Sequence, residues 1–284
     1  MKVNSKENTI IVAHRGASHY APENTLPSFE LAFKEKADFI EGDFWLTKDN
    51  EIVCIHDSDT SRVTKKLFNL DVRNSTLREL KKIDIGVWKG DKFRNSYIPT
   101  LREILQIIPK DKGIFIELKD DRLLLLQNIS KIINEYDFTP ERIRLIAFNP
   151  KMVLSAKKIL PEIKTYWLYN WYIVKETYSF SNTKQQILRA LEILNCDGID
   201  INPAPWLDIQ FINDLRKHNL DFATYAVDNF QDTLKLLTLG VDYITTDSPK
   251  NIRQKIKNYF SIPTLSNKEN ESVVIKDGKE IKLN

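Results

Sequence analysis

Short apolar runs alternate with longer segments of helical spacing along most of the chain. The runs predict eight main strands, near residues 10–13, 39–45, 114–118, 143–147, 164–168, 198–201, 222–226 and 243–245, and an extra antiparallel strand near 52–55. The segments between them predict helices at residues 25–36, 123–136, 151–160, 184–194, 207–218, 230–239 and 249–259, and a further helix that begins at Thr100. Such regular alternation is typical of a parallel α/β fold and not of a β-sandwich.

The number and order of these elements indicate a closed barrel. Eight strands, each followed by a helix, predict a (β/α)8 TIM barrel over residues 1–260, with an active site at the carboxyl ends of the strands. The alternative is a doubly wound open sheet. It is disfavoured because the first strand is followed by His14-Arg15-Gly16-Ala17-Ser18, which matches neither glycine-rich phosphate loop.

Two segments fall outside the alternation. Residues 58–97 contain two polar-rich stretches without clear strands or helices, and they predict a small inserted capping subdomain beside the barrel mouth. Residues 261–284 predict a polar linker and a C-terminal β-hairpin that turns at Asp277-Gly278. Because an isolated hairpin is marginally stable in water, we expect it to dock on the barrel or to join a second copy of the chain in a homo-oligomer.

Composition narrows the partners and the location. Lys+Arg (42) and Asp+Glu (39) nearly cancel to a net charge of +3, so the charge gives no reason to expect a nucleic-acid partner. Residues 1–8 are polar, and no stretch approaches the roughly 20 apolar residues that span a bilayer. We therefore expect a cytoplasmic protein with no transmembrane segment. Cys54 and Cys196 lie in apolar runs and are predicted to be buried, reduced thiols.

Charged side chains stand at the ends of two predicted strands. Glu41 and Asp43 share one side of their strand, and Glu117 and Lys119 share one side of theirs, because side chains two residues apart point the same way. Either pair alone is more simply an ion pair or a solvent-facing strand end. Three carboxylates converging from two strands instead favour a hard cation, Mg2+ or Ca2+, over Zn2+. Lys119 and Arg15 then offer positive charge to a bound anion.

Two of the four histidines close predicted strands. His14 follows the first strand and His56 ends the extra strand. A lone histidine at a strand end is more often structural, but a pair beside an acidic cluster predicts acid–base catalysis, because imidazole titrates near neutral pH. Asp57 is a neighbour that could orient one of them. His19 and His218 lack such company and are predicted to be surface residues.

Taken together, these residues resemble the glycerophosphodiester phosphodiesterases. The resemblance extends from about residue 10 to about residue 256, and the combination is specific although each segment alone is weak. The matching segments are His14-Arg15-Gly16, Pro22-Glu23-Asn24-Thr25, Glu41-x-Asp43 with Thr47-Lys48-Asp49, His56-Asp57, Ile98-Pro99-Thr100-Leu101, Glu117-x-Lys119 and Thr246-Asp247-Ser248-Pro249.

The resemblance implies a (β/α)8 barrel that hydrolyses glycerophosphodiesters to sn-glycerol 3-phosphate and an alcohol, with the insertion 58–97 as a capping subdomain. Whether the substrate's own 2-hydroxyl or water attacks, and which histidine is the base, both stay open. The matched positions are Glu41, Asp43 and Glu117 for one divalent cation, His14 and His56 for the acid–base pair, and Arg15 and Lys119 for the phosphate.

The sequence departs from the family pattern at a few positions. Lys36 stands where the family usually has Gly, and Gly42 stands between the two acidic residues where an aliphatic side chain is common. Tyr225-Ala226-Val227-Asp228 replaces a more usual Trp-Thr-Val-Asn, which bears on the pocket for the alcohol.

Two other functions are compatible with the same barrel. An enzyme of the lysophospholipase D or sphingomyelinase D type would use the same site on a lipid, and the aromatic segment 166–172, followed by Tyr178 and Phe180, is a candidate apolar groove. A strand followed by a buried loop explains that segment equally well. A non-catalytic barrel that binds phosphorylated ligands is the second alternative, and the complete set of site residues disfavours it.

Overall fold

The closed barrel expected from the sequence is confirmed. The computed structural model describes residues 9–136, 138–171 and 180–261, and the backbone of two tail strands at 272–276 and 279–283. Eight parallel strands form a ring because β1 pairs with both β9 and β2, so the open-sheet alternative is wrong. The main-sheet strands are β1 (Ile10–Ala13), β2 (Phe39–Leu46), β3 (Ile52–Cys54), β4 (Gly113–Leu118), β5 (Ile143–Ala147), β6 (Lys164–Tyr169), β7 (Gly198–Ile201), β8 (Asp221–Thr224) and β9 (Tyr243–Thr246).

The extra strand is also present. β3 pairs antiparallel with the last residues of β2, beyond the part of β2 that pairs with β1. Strand β8 ends at Thr224, two residues before its predicted end, because its ladder with β9 stops at the pair Thr224 and Ile244. The Val227 N–H then donates to the Thr245 carbonyl at 2.8 Å, so the chain here lines the mouth instead of extending the strand.

Helices cover the outside of the ring. Their limits agree with the predicted ones to within a few residues, except for the short helix at Leu77–Leu80, which lies in the insertion 58–97 and was not predicted. They are α1 (Leu26–Lys34), α2 (Leu77–Leu80), α3 (Leu101–Ile107), α4 (Leu123–Glu135), α5 (Pro150–Ile159), α6 (Phe180–Leu194), α7 (Ile209–Lys217), α8 (Phe230–Leu239) and α9 (Pro249–Ser261).

Helix α1 ends in a left-handed residue that is not glycine. Lys36 has φ 65°. Its N–H donates to the Phe33 carbonyl and the Ala37 N–H donates to the Ala32 carbonyl, both at 3.0 Å, which is the Schellman arrangement. This backbone conformation explains why glycine suits position 36, because a Cβ is costly in the left-handed region.

The insertion 58–97 has a small hydrophobic core of its own. It contains α2 and two 3-10 turns at Val87–Lys89 and Asp91–Phe93. Its buried residues pack on the outer side chains of β3, which fastens the insertion to the edge of the barrel mouth. The cluster consists of Val53, Ile55, Val63, Val72, Leu80, Ile83, Ile85 and Ile98.

Aromatic rings close the amino-terminal end of the barrel lumen. Phe115 lies with its ring centroid 5.3 Å from that of Tyr243 and 5.9 Å from that of Tyr166, in edge-to-face arrangements. Phe39 packs 5.7 Å from Phe115. The buried Arg144 donates to the hydroxyls of Tyr166 and Tyr243 at 3.0 and 2.9 Å. These five side chains, which we call the lumen plug, leave the opposite end of the barrel for chemistry.

The tail contains the two expected hairpin strands. β10 (Ser272–Lys276) pairs antiparallel with β11 (Lys279–Leu283), and the turn predicted at residues 277–278 lies outside the described residues. Cys54 and Cys196 are buried and free, as predicted. None of the helices in the described ranges combines the length and the apolar character that crossing a bilayer requires.

Candidate active site at the carboxyl ends of the strands

An acidic cluster lies at the ends of β2 and β4. Glu41, Asp43 and Glu117 offer carboxylate oxygens that all lie within 4.8 Å of one another. Burial, with the charges of Asp43 and Glu117, raises the pKa of Glu41 well above its ordinary value. Burial and Asp43 raise the pKa of Glu117 to about 7. The Glu41 Oε1 atom is buried without a hydrogen-bond partner among the described residues. An all-oxygen cluster with an unpartnered buried oxygen fits a hard divalent cation.

Two basic side chains already compensate part of this charge. The Lys119 ammonium lies 2.7 Å from Glu117 Oε1 and 3.2 Å from Asp43 Oδ1. Arg15 Nε lies 3.3 Å from Asp43 Oδ2. Burial alone would raise the pKa of Asp43, but Lys119 and Arg15 outweigh it and hold that pKa well below its ordinary value. Asp43 is therefore charged while its two neighbours resist ionisation.

The loop between β1 and α1 aims its backbone and its arginine at the cluster. Arg15 has φ 54° and its own N–H donates to Glu41 Oε2 at 2.9 Å. Its Nη1 donates to Glu23 Oε1 at 2.9 Å. Gly16 follows at φ 83°, where a Cβ would lie 2.6 Å from the Ser28 carbonyl carbon. The His-Arg-Gly segment thus needs its glycine for both conformation and space.

Each predicted histidine is paired with a carboxylate through Nδ1. His14 Nδ1 lies 2.7 Å from Asp247 Oδ1, and His56 Nδ1 lies 2.6 Å from Asp57 Oδ1. Because a carboxylate accepts, the proton belongs on Nδ1 in both rings and Nε2 is left for other chemistry. Burial lowers the pKa of His56, helped by Lys119 and opposed by Asp43 and Asp57.

Gly42 departs from the family pattern for a steric reason. A Cβ at this position would lie 2.8 Å from Cys54 Sγ and 3.3 Å from the Phe29 ring. The Cys54 thiol donates to Asn24 Oδ1 at 3.0 Å, and Asn24 Nδ2 donates to Asp43 Oδ2 at 2.7 Å. The space at Gly42 therefore lets the thiol support the asparagine that holds Asp43.

The structure brings together all seven residues predicted for the site, at one end of the barrel. They are His14, Arg15, Glu41, Asp43, His56, Glu117 and Lys119. The predicted surface residues His19 and His218 are both exposed.

Other polar residues of the site had no predicted role. Glu23, Asn24 and Asp247 belong to the segments that resemble the family, and that resemblance was the available signal for them. Asp200 on β7 gave no such signal. It is fully buried, and neither of its oxygens has a hydrogen-bond partner in the described part of the chain. Burial, with the charge of Glu117, raises its pKa to about 8.

Much of the aromatic segment 166–172, which begins in β6, belongs to the core. Tyr166 is part of the lumen plug, and Tyr169 and Trp171 are 8% and 4% exposed. Tyr172 and Tyr178 lie outside the described residues, as does the side chain of Phe180. The described residues of the segment thus favour a strand with a buried continuation over a lipid groove.

The strand ends of this parallel (β/α)8 barrel hold an acidic cluster, two histidine–carboxylate pairs and two basic side chains. This combination defines a barrel enzyme for an anionic substrate. The chain matches the sequence model of the glycerophosphoryl diester phosphodiesterase family over residues 14–251. It belongs to this family of hydrolases.

Individual relatives agree with the family match. The chain is 33% identical over 248 residues to a glycerophosphodiester phosphodiesterase of Caldanaerobacter subterraneus subsp. tengcongensis, covering 86% of this chain and 96% of that one. It resembles the structure of an Oleispira antarctica phosphodiesterase in complex with the product sn-glycerol-3-phosphate, with a TM-score of 0.75, 28% identity and coverage of 87% and 96%. A glycerophosphodiester phosphodiesterase structure from Agrobacterium tumefaciens gives a TM-score of 0.72 with 26% identity, covering 87% of this chain and 99% of that one.

Proposed function

We propose that the chain hydrolyses glycerophosphodiesters to sn-glycerol 3-phosphate and an alcohol with the help of a divalent cation, Mg2+ or Ca2+. The observation that carries this proposal is the meeting of two histidine–carboxylate pairs with an acidic cluster at one mouth. The product named in the Oleispira antarctica complex supports the choice of substrate.

Glu41, Asp43 and Glu117 are the residues that would hold the cation. The raised pKa values of Glu41 and Glu117 support this choice, because Lys119 and Arg15 do not offset the charge of all three carboxylates. When bound, the cation supplies charge neutralisation at the phosphodiester oxygens. The exposed part of the Arg15 guanidinium and the Lys119 ammonium would contact the same oxygens, Arg15 as a fork and Lys119 as a point charge.

We assign His56 as the general base and His14 as the general acid. Burial lowers the pKa of His56, which favours the neutral imidazole that a base requires. Its Nδ1–H donates a hydrogen bond to Asp57, so Nε2 carries the lone pair that can accept a proton. His14 is then the acid of the pair: Asp247 stabilises its imidazolium, as Asp57 would that of His56, and its Nε2 proton would pass to the leaving alkoxide. The base accepts a proton from the 2-hydroxyl of the substrate or from water.

A direct assay tests the reaction. Purified protein with Mg2+ or Ca2+ should release glycerol 3-phosphate from glycerophosphocholine, and a chelator should abolish the release. His56→Ala should lose about 10²–10⁴-fold, the usual contribution of general acid–base catalysis. His218→Ala is the matched control because His218 is exposed, and it should retain full activity. Full activity of His56→Ala would contradict the acid–base assignment.

The leaving group separates acid from base. In a glycerophosphodiester of p-nitrophenol, the p-nitrophenolate group leaves without protonation. His14→Ala should therefore recover most of its lost rate on this substrate. His56→Ala should stay impaired on both substrates, because deprotonation of the nucleophile is still required. The reverse pattern would exchange the two assignments.

Two comparisons address the alternatives. Faster turnover of lysophosphatidylcholine than of glycerophosphocholine would indicate a lysophospholipase D type of enzyme. Binding of sn-glycerol 3-phosphate without turnover of any diester, at any of the cations tested, would indicate a non-catalytic barrel.

A further inference from the structure

Arg62 of the insertion joins two carboxylates of the site. Its Nε donates to Asp57 Oδ2 at 2.6 Å. Its Nη1 and Nη2 donate to the two oxygens of Glu23 at 2.8 and 2.9 Å. The guanidinium therefore uses all three of its nitrogens to connect the segment after β3 with the loop between β1 and α1.

Both carboxylates continue the connection to a predicted site residue. Asp57 uses its other oxygen for His56 Nδ1. Glu23 Oε1 also accepts from Arg15 Nη1 at 2.9 Å. The result is a chain of alternating charges that runs from Arg15 through Glu23, Arg62 and Asp57 to His56.

Asp57 has little else to hold it. His56 and Asp57 are 32% and 31% exposed, and an ion pair so exposed contributes little and leaves the carboxylate free to turn. Arg62 removes that freedom because it occupies the second oxygen of Asp57 while its other two nitrogens are fixed on Glu23. The planar fork of an arginine holds these three oxygens in fixed directions, whereas the ammonium of a lysine is a single point charge without such a fork.

We propose that Arg62 is a positioning residue that fixes the ring of His56 through Asp57 and the guanidinium of Arg15 through Glu23. The insertion is thus part of the catalytic apparatus and not only a cover. This rests on the proposed function for its kinetic consequence, although the geometry of His56 can be tested without any substrate.

The charge states of the carboxylates agree with such a linkage. Burial alone would raise the pKa of Glu23, but its hydrogen bonds and ion pairs with Arg62 and Arg15 bring that pKa below its ordinary value. For Asp57, burial is likewise outweighed by the hydrogen bonds from Arg62 and His56. Both carboxylates are therefore charged acceptors near neutral pH.

The kinetic test replaces Arg62 and compares it with a matched arginine. Arg62→Gln should lower kcat/KM about 10–100-fold, the usual effect of losing a partner that orients an active-site group. Arg62→Lys should recover only part of that loss. Arg73→Gln is the control, because Arg73 also lies in the insertion, is 39% exposed and also bridges two carboxylates, those of Asp120 and Asp121. Its kcat/KM should be unchanged.

A double-mutant cycle tests the route through Asp57. If Arg62 acts through Asp57, Arg62→Gln should cost much less in an Asp57→Asn background than in the wild type. Additive losses would overturn the positioning role. So would a value of kcat/KM for Arg62→Gln equal to that of Arg73→Gln. If Arg62→Gln fails to fold, the same cycle is measured with Arg62→Lys.

A spectroscopic readout stands apart from activity. With only four histidines in the chain, the ring nitrogens of His56 can be assigned by 1H–15N NMR. The wild type should show a protonated Nδ1 and a bare Nε2, and Arg62→Gln should show a mixture of tautomers, whereas Arg73→Gln should match the wild type. An unchanged tautomer in Arg62→Gln would refute the proposal. Failure of the wild type to cleave any glycerophosphodiester would refute only the proposed function.

Discussion

Asp200 should make the protein lose stability as the pH rises. Its buried carboxyl has a pKa raised to about 8 from an ordinary value of 3.8. A group whose folded pKa is raised contributes stability that is fully present below the unfolded pKa and is lost as the pH rises through the folded pKa. At about 1.4 kcal/mol per pH unit, the loss between about pH 5 and about pH 8 amounts to about 3–4 kcal/mol. Asp200→Asn removes this proton and should remove the loss.

The assay compares the free energy of unfolding of the wild type and of Asp200→Asn by urea denaturation at several values between about pH 5 and about pH 8. A chelator is present, because a cation beside Glu117 would offset the charge that raises the pKa. Burying the asparagine amide without hydrogen-bond partners lowers the free energy of unfolding at every pH, so the two proteins need not be equally stable at low pH. The free energy of unfolding of Asp200→Asn minus that of the wild type should increase by about 3–4 kcal/mol from about pH 5 to about pH 8.

The difference between the two proteins isolates Asp200 from other groups that titrate. Asp111→Asn is the control, because this side chain is 77% exposed, and its difference from the wild type should vary much less with pH. A difference for Asp200→Asn that is equally flat would refute the reasoning. It would mean that the Asp200 carboxyl is ionised in the folded chain at little cost.

Three further predictions concern the backbone, the packing and the cation. Lys36→Gly should raise the free energy of unfolding by about 1 kcal/mol, because the left-handed residue that ends α1 would lose its Cβ strain; chemical denaturation checks this. Gly42→Ala should cost about 1–3 kcal/mol, and markedly less in a Cys54→Ala background, since the added Cβ meets Cys54 Sγ at 2.8 Å; equal costs in both backgrounds would contradict the packing explanation. Ca2+ or Mg2+ at about 100 times its Kd should add about 2.7 kcal/mol and raise the Tm by about 5–10 °C, and Glu41→Gln should abolish most of this shift in a thermal melt.

Much of the fold was predictable because barrel strands are short, buried and apolar. The predicted strands and the extra strand all exist, and the errors lie at element ends, where local hydrogen bonds decide. Strand β8 was drawn two residues too long because Tyr225 and Ala226 continue its apolar run. The sequence does not reveal that the ladder ends at Thr224, since that depends on β9.

The site was predictable where chemistry follows the alternation of side chains within a strand. Glu41 and Asp43, like Glu117 and Lys119, needed only this rule to be placed together. Asp200 could not be found this way, because a single acidic residue in an apolar run is compatible with either face of a strand.

Partners that lie far apart in sequence were also beyond prediction. The contact of Arg62 with Glu23 joins residues 39 positions apart, and it requires the path of the insertion, which no simple periodicity encodes. The cytoplasmic location and the oligomer through the tail hairpin stay predictions.

The lumen plug determines the end of the barrel at which substrate enters and products leave. Phe39, Phe115, Tyr166, Tyr243 and Arg144 fill one end of the barrel, so substrate and products must pass through the opposite end, where the candidate site lies. The insertion lies at this open end of the barrel, on the side of His56. Turnover can therefore be altered at the rim, by residues that never touch the barrel strands on which the fold depends.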